Sequence, residues 1–241
     1  MKLDVMAFGA HPDDCELSMG GTLLVLKNQG YRVGICDLSG GELGTYGSGA
    51  QRKIELEKAA QILGLDARVT LDFVDGNVRN TNENREKVIR VIREFQPDVV
   101  FGFVGETRHP DHLNVGQLVK ECTFLAGLKK LKGQFPPHRP SAFFRFPELI
   151  PWGKPDFVVD ISQVWDKKLE ALRCFESQFS VGGASADSPE TLLKSEEFWG
   201  LLEAKARMAG IMIGAKYGEP FYCDRPLRIM DPVAASPREF T

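Results

Sequence analysis

Over the first 131 residues, four short apolar runs alternate with four stretches of helical periodicity, an order that few architectures accept. The runs 3–9, 31–38, 68–73 and 98–104 are mostly rich in branched or aromatic residues and have the length of buried strands. Between them, 17–28 places apolar residues at 17, 19, 23, 24 and 26 and stops at Gly30, while 51–63 stops at Gly64. A third helix, 82–95, carries Val88, Ile89, Val91, Ile92 and Phe95 on one face and breaks before Pro97. Strands joined through helices run parallel, and right-handed crossovers put helices on both faces of the sheet. The expected fold class is α/β, a doubly wound, mostly parallel sheet.

A fourth helix is expected at about 115–131, then strands at Ala142–Phe146 and Phe157–Asp160 and helices at about 161–175 and 189–213. The glycine- and serine-rich "SVGGASADSPE" at 180–190 is a candidate lid. The proline-bearing C-terminal stretch reads as loop with one short strand. A chain of 241 residues, 43% hydrophobic, can bury a sizeable core, and 1–241 reads as a single domain.

Charge narrows the partners. A net charge of −3 without a basic block gives no footprint for nucleic acid or an anionic membrane, so the expected partner is a small neutral or acidic molecule. No apolar run approaches the roughly 20 residues of a membrane span, and no signal-like segment precedes the first strand. The five cysteines form no Cys-x-x-Cys pair and are expected to be reduced thiols in a cytoplasmic protein.

Two stretches depart from this ordinary pattern. "MAFGAHPDDCE" ends the first strand with His11, Asp13, Asp14 and Glu16, and "ETRHPDHLN" follows the fourth strand with His109, Asp111 and His112. In strand order 3-2-1-4 the first and fourth strands are neighbours, and their carboxyl ends flank the crevice where doubly wound sheets bind ligands. Clustered acids repel one another unless a cation sits among them. Imidazole with carboxylate suits zinc or another first-row divalent metal, which needs three protein ligands and an open position. Six candidate groups leave a surplus for a proton acceptor, a proton donor and a carboxylate that orients an imidazole. Adjacent side chains leave the backbone in different directions, so Asp13 and Asp14 divide these tasks. Spacing alone does not say which residue does which.

With "AHPDDCE", "LSGGELGT" and "HPDH" in this order, the chain resembles the N-acetylglucosaminyl-phosphatidylinositol deacetylase and lincomycin-biosynthesis-type zinc deacetylases over nearly its whole length. The resemblance implies a Rossmann-like core at 1–125 carrying the metal motifs and a pocket elaboration at 126–241. It implies a Zn2+ site held by His11, Asp14 and His112. Asp13 corresponds to the general base, and His109 to the residue that stabilises the tetrahedral intermediate or protonates the departing amine, with Asp111 orienting it. "GELGT" and "ALRCFESQF" look like the bacillithiol biosynthesis branch, which acts on N-acetylglucosaminyl malate and whose members often self-associate. In that branch a basic residue is common within "LSGGELGTYG", where this chain has Gly40 and Tyr46.

Arg52 and Arg108 are the candidates for a malate carboxylate or sugar hydroxyls, because guanidinium pairs with carboxylate through two parallel hydrogen bonds. Glu16 reads equally as partner of a ligand histidine or as a first-turn acid, Cys15 as a small packed apolar group, and Tyr217 and Tyr222 as core or pocket wall. The alternatives are deacetylation of another N-acetylglucosamine conjugate and a non-catalytic sugar-binding module. A dinucleotide enzyme is disfavoured because the first turn lacks Gly-x-Gly-x-x-Gly.

Overall fold

The computed structural model describes residues 1–104, 107–149, 153–180, 192–233 and 235–236, so the lid expected at 180–190 lies outside them except for Ser180. Strands β1 (Val5–Gly9), β2 (Val33–Asp37), β3 (Ala67–Thr70) and β4 (Val99–Phe103) alternate with helices α1 (Asp14–Asn28), α2 (Gly49–Leu63) and α3 (Asn82–Phe95). Then come α4 (Pro110–Leu125), β5 (Ala142–Phe146), β6 (Phe157–Asp160), α5 (Trp165–Arg173), α6 (Glu176–Phe179), α7 (Glu196–Ile211) and β7 (Gly218–Cys223). The sheet order is β3-β2-β1-β4-β5-β7-β6, parallel from β3 to β5 with β7 antiparallel to both its neighbours. This is the doubly wound, mostly parallel α/β sheet that the alternation demanded.

Residues of β1 and β2 are buried throughout, which accounts for their continuous apolar sequences. Ser48 and Thr81 cap α2 and α3 by accepting the N–H of Gln51 and Asn84. Expected boundaries move, and the helix expected at 189–213 is α7, Glu196–Ile211. Helix α4 begins at Pro110 and ends at Leu125, so "HPDH" supplies its cap and first turn; proline tolerates the first helical position because no N–H is needed there. The expected 161–175 helix is shorter and is followed by the separate α6. The short C-terminal strand is β7, which sits inside the sheet despite Pro220.

Two features set the angles of the helices that carry the histidine and aspartate motifs. A Cβ at Gly116 would meet the Phe103 carbonyl oxygen at 2.7 Å, so glycine lets α4 close on β4. Helix α1 breaks at Met19 (φ −146°, ψ 18°), and Glu219 of β7 caps its second half by accepting the N–H groups of Gly21 (3.0 Å) and Thr22 (2.6 Å). Lys168 balances that buried carboxylate at 2.6 Å and also donates to the Leu17 carbonyl at 2.8 Å.

Candidate metal centre

The carboxyl ends of β1 and β4 open on a pocket of about 400 Å³ that holds both unusual stretches. His11 Nδ1, Asp14 and His112 offer three donor atoms within 4.8 Å of one another. His112 Nε2 lies 3.4 Å from His11 Nδ1 and 3.2 Å from Asp14 Oδ1. Asp14 is fixed by its other oxygen, Oδ2, which accepts the N–H groups of Ala10 (2.9 Å) and His11 (2.8 Å). His112 lies flat on Phe103, with ring centroids 4.2 Å apart and planes at 7°.

The far nitrogens complete the pattern. His11 Nε2 meets Asp75 Oδ1 at 2.9 Å, and His112 Nδ1, which makes no hydrogen bond, faces Glu148 Oε2 at 3.5 Å. Metal-binding imidazoles characteristically give their second nitrogen to a carboxylate, which fixes the ring and raises its basicity. Two imidazoles and one carboxylate, with His11 and Asp14 held by hydrogen bonds and His112 by its stack on Phe103, are a donor set that fits a first-row divalent cation.

The electrostatics agree with that fit. Burial opposes charge on His11, but Asp14 and Asp75 override it and raise its pKa from 6.5 to about 11. Burial likewise opposes charge on His112, and Asp14 and Glu148 raise it to about 9. Asp14 is held far below the usual carboxylate range: burial works against its charge, and His112 and His11 outweigh burial. The carboxylates around the two rings thus favour positive charge at this point of the pocket.

Asp13 occupies the N-cap position of α1 but makes no capping hydrogen bond, and its φ of 111° is a strained, left-handed conformation for a non-glycine residue. Its carboxylate lines the pocket rather than serving the helix. Burial and the adjacent Asp14 charge push its pKa well above the ordinary 3.8, against the pull of Arg52 and His11. His109 caps α4, accepting the Asp111 N–H at Nδ1 over 3.2 Å. An accepting nitrogen carries no proton, so the neutral ring bears its hydrogen on Nε2. Burial, with the nearby His112 and His11, lowers its pKa below 6.5.

The Asp111 carboxylate turns elsewhere. It accepts from Gly76 N–H (2.8 Å) and Val78 N–H (3.1 Å) and lies 3.5 Å from His11 Nε2, so its contact with His109 runs through the main chain. Arg52 is buried in the pocket wall, and a Cβ at Gly41 or Gly44 would overlap its guanidinium, which explains those glycines in "GGELG". Its Nε has no hydrogen-bond partner. Arg108 stands at the rim, largely exposed, 3.4 Å from Glu148. Glu16 touches neither histidine; it pairs with Arg68. Cys15 packs in the core. Tyr217 stacks on Trp165, and neither it nor Tyr222 lines the pocket.

Asp75, Glu148 and Gln178 were not among the residues expected at the site. Glu148 is held from below by Lys205 of α7, whose ammonium donates to the carbonyl oxygens of Pro147 and Glu148. Burial, with the like charge of Lys168, lowers Lys205 from 10.5 to about 7. The unfolded chain then binds more protons above that point, so this group's contribution to stability improves as pH rises from about 7 to 10.5. Lys205→Met should therefore be more stable than wild type near neutral pH, with the gain shrinking toward about pH 10. Urea unfolding across that range checks it, and a pH-independent difference would contradict it.

Known proteins share this arrangement's sequence and fold. The diacetylchitobiose deacetylase of Thermococcus kodakarensis is 33% identical over 233 residues, covering 90% of this chain and 80% of its own. A probable N-acetyl-alpha-D-glucosaminyl L-malate deacetylase of Bacillus cereus is 29% identical, covering 74% and 84%. The crystal structure of the conserved protein TT1542 from Thermus thermophilus superposes with a TM-score of 0.86 at 34% identity, covering 95% and 97%. Residues 6–123 match the GlcNAc-PI de-N-acetylase model, a span that contains both motifs. The chain belongs to the GlcNAc-PI de-N-acetylase (PIG-L) family of hydrolases.

Proposed function

We propose that the protein is a zinc-dependent N-deacetylase of an N-acetylglucosaminyl conjugate whose aglycone carries a carboxylate, with N-acetylglucosaminyl malate of bacillithiol synthesis as the leading substrate. The observation that carries the acidic aglycone is Arg52, a buried cation in the pocket wall with no ion pair among the described residues. Its charge acts on Asp13 without an ion-pair contact, and its buried Nε lacks a hydrogen-bond partner, so a substrate carboxylate would supply the close partner.

His11, Asp14 and His112 would hold the metal, with Asp75 and Glu148 behind the two rings. Bound zinc supplies Lewis-acid polarisation of the acetamide carbonyl and brings the pKa of its water to about 7. Asp13 takes the proton from the attacking water on its pocket-facing carboxylate. A neutral His109 donates from Nε2 to the oxyanion developing on the acetamide oxygen. Neutral imidazole is too weak an acid to protonate the leaving nitrogen, so Asp13, with its raised pKa, returns that proton. Acetate and a free amine result.

In this reading 1–241 is one deacetylase domain. Residues 1–125 supply the metal motifs, and 126–241 add Glu148 and Gln178 to the same pocket. All five cysteines are free, which fits a reducing, cytoplasmic setting, and no described helix is long and apolar enough to cross a membrane.

The similarity to a diacetylchitobiose deacetylase favours a second reading, a neutral disaccharide substrate. Acetate release by zinc-loaded protein from N-acetylglucosaminyl malate, diacetylchitobiose and free N-acetylglucosamine, each with a chelated control, separates the two. We expect chelator-sensitive turnover that favours the malate glycoside. Arg52→Gln should then lower kcat/KM for that substrate by about 10- to 100-fold more than for the neutral ones, the worth of a charge-assisted hydrogen bond. Preference for diacetylchitobiose with an equal Arg52→Gln effect on all three would overturn the acidic aglycone.

A further inference from the structure

Gln178 is 8% exposed and lines the pocket that holds the metal group. A relay of hydrogen bonds fixes which end of its amide faces which way. Glu55 of α2 accepts the Ser177 N–H at Oε1 (2.8 Å) and the Ser177 hydroxyl at Oε2 (2.7 Å). With its hydrogen committed to Glu55, the Ser177 hydroxyl can only accept from Gln178, whose Nε2 donates to it over 2.9 Å. The second hydrogen of Nε2 goes to the Tyr46 carbonyl, also at 2.9 Å. Both amide hydrogens are spent, and a flipped amide would set its oxygen against a carbonyl oxygen. No hydrogen bond to Oε1 is made among the described residues, and the side chain that carries it lines the pocket.

We propose that Gln178 is a specificity-determining residue whose Oε1 accepts a hydrogen bond from one ring hydroxyl of the bound sugar, held in that orientation by the Glu55–Ser177 relay. The proposal rests on the reading of the pocket as a glucosamine-conjugate site and adds what that reading lacks, a polar contact to the sugar ring. An acceptor with no donor left beside it demands a donor on the ligand. A sugar lacking that one hydroxyl leaves the oxygen desolvated and unpaired, and sites of this kind reject the analogue.

The test is a cycle between one side chain and one hydroxyl. Binding of glucosamine and its 3-deoxy, 4-deoxy and 6-deoxy analogues is measured by NMR titration of zinc-loaded wild type, Gln178→Ala and Gln178→Met, with thermal melts to show that each variant is folded. Acetate release from the N-acetyl forms is followed separately. We expect wild type to bind one deoxy sugar about 3- to 10-fold more weakly than glucosamine, the range of a neutral hydrogen bond, and both variants to bind that pair equally. Losses spread evenly over all four sugars, no change in either variant, or no binding of any of them by wild type would each overturn the assignment. Coupled binding without acetate release would leave it standing and remove the deacetylase reading instead.

Discussion

Asp13→Asn should lower kcat by about 10²- to 10⁴-fold, the usual worth of a positioned proton acceptor, while metal content and melting temperature stay near wild type. Asparagine is the informative replacement because it keeps the shape of the side chain and tolerates positive φ, whereas alanine would add strain at φ 111°. The backbone that aims residue 13 into the pocket is then preserved, and only the basic oxygen is lost. Asp13 makes no capping hydrogen bond, so its removal should not unravel α1. Asp14, one residue later, has both oxygens engaged with His112 and two main-chain N–H groups, and Asp14→Asn should cost metal first. Metal analysis of both variants beside single-turnover acetate release distinguishes the roles. Loss of zinc from Asp13→Asn, with retention in Asp14→Asn, would exchange them.

The parts of this site that could be read from sequence are those that topology alone brings together. Handed crossovers make β1 and β4 neighbours, so His11, Asp13 and Asp14 had to meet His109 and His112 at one end of the sheet. Asp75 obeys the same rule from the loop beyond β3, but "VDGN" reads locally as an ordinary turn, and the turn explanation suffices until its contact with His11 is seen. Glu148 needed one more fact, that β5 lies beside β4 in register Phe103 with Phe146, which places the end of β5 at the same crevice. Gln178 depends on a relay running back to Glu55, over 122 residues, and no local pattern signals that. The start of α4 was present in the sequence as a proline at the first helical position, yet the His-Pro-Asp cluster around it reads more readily as loop. Glu16 had two local explanations, and neither included Arg68, 52 residues away.

That pairing underlies the largest expected effect on stability. Arg68→Met should destabilise the fold by about 3–5 kcal/mol, because it leaves two carboxylates buried without their shared counter-charge. Arg68 grips Asp37 through Nε (2.8 Å) and Nη2 (3.1 Å) and reaches Glu16 with Nη1 at 2.5 Å, and both acids are completely buried. Even in the intact triad, burial outweighs Arg68 and raises Asp37 from 3.8 to about 6. A carboxyl with a raised folded pKa binds more protons folded than unfolded, so its contribution falls as pH climbs through that window. Removing the guanidinium takes away the pull that opposes burial at Asp37, lifts its folded pKa further and extends the window upward. The stability gap between wild type and Arg68→Met should therefore stay level up to about pH 6 and widen above it in urea unfolding. The triple variant Glu16→Met, Asp37→Leu, Arg68→Met removes every buried charge together and should recover most of the loss, since apolar packing replaces such clusters at little cost. A gap that is small and flat with pH would mean that water reaches the two carboxylates in the variant and that the triad contributes little to the fold.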